Sequence, residues 1–130
     1  MANWNDVANY LRQNFKINRD EGDVLSLLFD VGDDRSQLVM VSKGSMNITD
    51  EEFAVIASPI AQARSVNIQT VLEEAAEYVV GGVVKIGDSL AFKHAVPLAN
   101  LDISELIGPM NLVLKAADQM EATFTGADRL

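Results

Sequence analysis

A single imidazole carries all the histidine chemistry available to this chain. His94 stands between Lys93 and Ala95 in a stretch that reads as a strand. A Ser-His-acid relay needs its serine on a strained strand-to-helix elbow, and no G-x-S-x-G occurs. Ser58 and Ser89 are the hydroxyls open to a small hydrolase that would pair His94 with a carboxylate. A surface or half-buried strand histidine explains the same residue without chemistry. A zinc site at His94 would lack its usual second nitrogen or sulfur ligand. Asp20, Glu21 and Asp23, followed by Asp30, Asp33 and Asp34, could hold a hard cation through oxygens. The D-x-D-x-D-G loop is absent, and turn chemistry accounts for these acids equally well. No phosphate loop is present either, because Gly81-Gly82 and Gly87 do not follow a strand and open a helix. The expectation is therefore no catalytic residue, no cofactor and no metal.

Glu73 and Glu77 have more content. They stand at i, i+4 with no basic neighbour on their helix. Like charges there cost a few tenths of a kcal/mol. A solvated face is the ordinary reading, and contact with a basic segment of a partner is the alternative.

The whole chain narrows the choice. Its 130 residues suit one domain, residues 1–130, with a sizeable core. Net charge is −9, from 19 acidic and 10 basic residues. Such a surface repels a duplex or an anionic membrane, so neither nucleic acid nor membrane is an expected partner. There are no cysteines, which excludes disulfides and thiolate zinc sites. No apolar run reaches the roughly 18 residues of a membrane span. The N-terminal stretch lacks the layout of a signal peptide. The cytoplasm is the expected location.

The elements that must position any site follow from periodicity. Residues 3–15 read as a helix with Trp4, Val7, Ala8, Leu11 and Phe15 on one face, capped by Asn3 or Asn5. Residues 18–23 read as a polar connector. Strands follow at 24–31 and 36–42, joined by a turn at Gly32-Asp33-Asp34, and at 52–60, where Pro59 must end the strand or mark a bulge. The first of them alternates Leu25, Leu27, Phe29 and Val31 with Ser26, Leu28 and Asp30, so its second face is only partly polar. The organising stretch is a second helix. Ile68, Val71, Leu72, Ala75, Tyr78 and Val79 share one face, a stripe worth roughly 10 kcal/mol gross if buried against a sheet. Gly81-Gly82 should end it. A hairpin at 83–86 and 89–96 then turns at Gly87-Asp88, with Val83 opposite Phe92 and Lys85 opposite Leu90. Asp102 and Glu105 form a capping box for a last helix, interrupted by Gly108-Pro109, and the tail after Gly126 should fray. The order α-β-β-β-α-β-β-α predicts a two-layer α+β fold with a five-stranded antiparallel sheet.

Three patterns carry a resemblance. They are the meander at 24–29, 38–41 and 53–60 ending in Ser58-Pro59-Ile60, the hairpin at 83–96 running into Val96-Pro97-Leu98, and a final helix with Leu106 and Ala116-Ala117-Asp118-Gln119-Met120-Glu121. In this order they resemble the type III secretion chaperone-like fold, and within it the YbjN-type (bacterial sensory-transduction-regulator-like) proteins. The resemblance implies a sheet of order 1-2-3-5-4 with residues 83–86 at an edge. It implies a homodimer built from the middle helix and that edge, and a function without catalytic residues. The chaperones hold an extended client segment against apolar patches, and they are small and acidic, as this chain is.

The leading expectation is thus a non-enzymatic protein-binding module: a homodimeric, chaperone-like adaptor or regulator of a protein client. Phe53, Val55, Val83 and Val84 are candidate contacts, with Glu73 and Glu77 as steering charges. The alternatives are a small hydrolase using His94 and a small-ligand sensor with a closed apolar cavity.

Overall fold

The computed structural model describes residues 2–46 and 48–125. The tail after Gly126, for which fraying is expected, lies outside the described residues. The first helix, α1, spans Trp4–Asn14. Asn3 caps it in a reciprocal box with Asp6: each backbone N–H donates to the other side chain at 3.0 Å. Trp4, Val7, Ala8 and Leu11 are its buried face. The Trp4 indole donates to the Gly22 carbonyl at 2.9 Å, so this aromatic is core and its polar atom is satisfied.

Six strands form one antiparallel sheet: β1 (Ile17–Asp20), β2 (Val24–Gly32), β3 (Arg35–Ser45), β4 (Glu52–Gln62), β5 (Gly82–Ile86) and β6 (Ser89–Pro97), in the order β1-β2-β3-β4-β6-β5. The five expected strands keep the expected relative order, with β5 at an edge. The sixth is a correction. The supposed connector at 18–23 is partly β1, which pairs with β2. Only Ile17 of its four residues is apolar, so it has no alternation to read. An edge strand needs only one row of partners and can be polar on both faces.

The hairpin registers are those expected, Val83 opposite Phe92 and Lys85 opposite Leu90. Gly87 has a φ of +60° and Asp88 is not among the positive-φ residues, as a type II′ turn requires. At Pro59 the β4–β6 ladder slips: Pro59 opposes Ala91, but Ala61 opposes Leu90. Ile60 is the extra residue, a bulge placed next to a residue with no amide hydrogen to contribute.

The middle helix is the larger correction. The helix α2 spans only Ile68–Ala75 and packs against β5 at the sheet edge. Of the six residues expected to be buried, Val71 alone is, while Leu72 is 53% and Val79 98% exposed. The layer over the sheet belongs to the last helix instead. A short 3₁₀ turn at Ile103–Leu106, capped by the Asp102–Glu105 box, runs into α3 at Ile107–Thr125. Pro109 falls in the first turn of α3, where a missing N–H costs nothing. From there α3 crosses β3, β4 and β6 and buries Met110, Val113, Ala116, Ala117 and Met120. An Arg35–Asp118 ion pair at 3.0 Å ties β3 to it.

Candidate functional site

Strand residues alternate between two faces, and the core takes one of them. Leu25, Leu27, Val39, Val41, Ala54, Ile56, Leu90 and Phe92 belong to the buried cluster with α1 and α3. The opposite face has no helix against it among the described residues. It is nevertheless apolar. The register sets Met40 beside Ala57, Val55 beside Ala95 and Val84 beside Ala91, with Leu28 beside Leu38 at one end. Leu28 is 52% and Ile86 49% exposed. Two depressions mark the surface. One, of about 330 Å³, takes lining residues from β2, β3, β4, β6 and β5 in turn, including Val24, Met40, Val55, Val84 and Ile86. The other, of about 310 Å³, lies between Met46, Phe53, Val55 and Ala95. Lys93 borders both. It is exposed and forms no ion pair among the described residues. A larger hollow of about 600 Å³ sits at the rim between Leu38, Pro59 and the end of α3 at Thr125. There the chain continues into residues not described.

The structure brings three of the candidate contacts, Phe53, Val55 and Val84, to this face. Val83 takes the other face and packs against the core. Glu73 is an exposed residue of α2, and Glu77 lies past its end in a turn closed by Glu77 N–H to the Glu74 carbonyl at 3.0 Å. α2 packs on the edge strand β5, and neither glutamate lines the depressions of the sheet face. Lys93, Met40, Val24 and Ile86 were missed. The available signal was Leu28, an apolar residue in the supposedly polar register of β2.

Ser58, Asp20 and Asp30 are engaged in other bonds. Ser58 is fully buried, donates to the Leu38 carbonyl and accepts from Gln37 Nε2 at 2.7 Å. Gln37 Nε2 also donates to the Pro59 carbonyl at 2.9 Å, so this buried polar pair serves the bulge. His94 is half-buried on the core face opposite Ile56, and no carboxylate bonds to it among the described residues. Asp20 forms a two-bond pair with Arg12 at 2.8 and 3.2 Å and accepts from Gly22 N–H. The guanidinium first, then the backbone bond, hold the Asp20 carboxyl below its ordinary value. Asp30 accepts from Gly32 N–H at 2.9 Å and shapes the β2–β3 turn. Among the described residues no three acids or histidines gather as a metal site would need. Among the described residues no helix is long and apolar enough to cross a membrane. No family model matches the chain, and no curated protein matches it.

Proposed function

We propose that this chain is a non-enzymatic protein-binding module, a chaperone-like adaptor or regulator that buries an apolar segment of a client. One observation carries the reading: a whole sheet face, apolar on five strands, that nothing in the described chain covers. Large uncovered apolar surfaces on soluble domains mark interaction sites. The face is also broad and open, which suits a polypeptide better than a small molecule, whose sites enclose most of the ligand. In the same reading the chain pairs with itself through the free edge of β5, beside the exposed Ile68 and Leu72 of α2.

The test uses the full chain, immobilised, with extract of its native cells and mass spectrometry of what is retained. Phe53→Asp and Val55→Asp serve as face variants, with far-UV circular dichroism to show that they fold. Proteins held by the wild type and lost from both variants are the expected result. Identical sets from all three would reject the reading. Sedimentation of the purified chain gives the dimer, and a monomer at every concentration would remove that part.

A further inference from the structure

The occupant of the helix-free face can be specified further, granting that the face binds protein. The interior strands β3, β4 and β6 have strand partners on both sides, so their backbone donors and acceptors are committed to the ladders. A peptide laid flat on them finds no main-chain partner. An extended segment there would bury its own N–H and C=O groups unpaired, which is costly for each group. An α-helix satisfies its backbone internally and offers only side chains. The depression of about 330 Å³ runs across β2, β3, β4, β6 and β5, five neighbouring strands. At about 4.8 Å between strands this is roughly 19 Å. A helix of about 13 residues has that length. Small residues, Ser42 and Ala57, lie along the depression between the larger Met40, Val55, Val84 and Ile86. Two lysines line it: Lys85 donates its amine to the Gly87 carbonyl at 2.6 Å, whereas Lys93, beside Val55 and Ala95, has no acidic partner among the described residues. A partner must either leave the amine wet or supply a carboxylate.

From the satisfied backbone, the crosswise depression and the unpaired Lys93 we infer that the face receives an amphipathic α-helix of another protein. That helix lies across the strands and carries an aspartate or glutamate within its apolar stripe, opposite Lys93. The pairing fixes where the helix stops along the depression, because a displaced helix would leave both charges unmatched in an apolar contact. A second copy of this chain docked face to face is the poorer fit, since it would bring a second Lys93 to a depression whose lining holds lysines and no acid.

The probe is a fluorescent synthetic helix of about 14 residues, with leucines on one stripe and one central glutamate, titrated by anisotropy against the full chain at low salt. Saturable binding is expected, weakened about tenfold by Lys93→Glu and recovered when the peptide glutamate is replaced by lysine. Lys93→Met should fall between, because it keeps the apolar stem and loses only the charge. Lys93 is exposed, so these variants should fold, and circular dichroism checks that they do. A peptide of the same composition with two central prolines should bind at least about tenfold more weakly. Equal binding of the proline peptide would overturn the helix while leaving protein binding by this face intact. Failure of both peptides would overturn the inference. Lys93-dependent binding of oleate without either peptide would overturn the protein-binding reading as well. Self-association abolished by Lys93→Glu, with no peptide bound, would name a second copy as the occupant and overturn it too.

Discussion

Gly81 holds a φ of +80°, and a Cβ there would lie 2.6 Å from the ring of Phe92. Both the conformation and the space demand glycine. Gly81→Ala should lose about 1–3 kcal/mol, read from urea unfolding. Tyr78 packs on the same ring, with centroids 5.1 Å apart, and its hydroxyl is buried with no hydrogen-bond partner among the described residues. Burial first, and then the nearby Glu74, raise the phenol above its ordinary value. A group raised by folding contributes stability below its unfolded value, about pH 10 for tyrosine, and loses it as pH rises through the folded one. Tyr78→Phe should therefore be at least as stable as wild type at neutral pH. The gap between variant and wild type should widen in the variant's favour above about pH 10. Tyrosinate absorbance during an alkaline titration follows the same group directly. Of these features the sequence shows only the glycine. That Gly81 faces Phe92, or that Ser58 is spent on the Leu38 carbonyl, depends on contacts between distant elements.

The helices exchange the roles their periodicities suggest. The stripe on α2 has the right spacing, yet the helix stops at Ala75 and leaves Ile68 and Leu72 in solvent. The less strictly patterned α3 has the length to cross three strands, and length decides how much sheet a helix can cover. Leu72→Ala should thus cost under about 1 kcal/mol, while Met120→Ala, at a buried site of α3, should cost about 2–5 kcal/mol. Thermal or urea unfolding of the two variants distinguishes them. Similar losses would mean that α2 is a true core helix. The strands were more legible. Their alternation, the Gly87-Asp88 turn and the Pro59 bulge are local properties of sequence, and the registers follow from them. The polar β1 has no such signal and is made a strand only by pairing with β2.

At the scale of the molecule, a net charge of −9 sits on a chain whose helix-free sheet face, among the described residues, carries Lys93 and is bordered by Lys85. Self-repulsion of the excess acids should weaken the fold at low ionic strength. Raising salt from about 0.01 to 0.15 M should raise the unfolding midpoint, and the same change should weaken any partner held through Lys93. A midpoint that falls with salt would mean that the charges are mostly paired. By itself the sequence determined the α+β class, the strand alternation, the tight turns, the Asp102–Glu105 capping box and the existence of three helices, though not where the second one stops. These depend on neighbours within one turn or one hairpin, where composition and spacing act directly. Only the tertiary structure decided which helix covers the sheet, that a polar stretch joins it as a sixth strand, and which register of each strand stays bare. Those outcomes are set by competition among distant elements for the same apolar area, and no local pattern says which of two apolar faces wins.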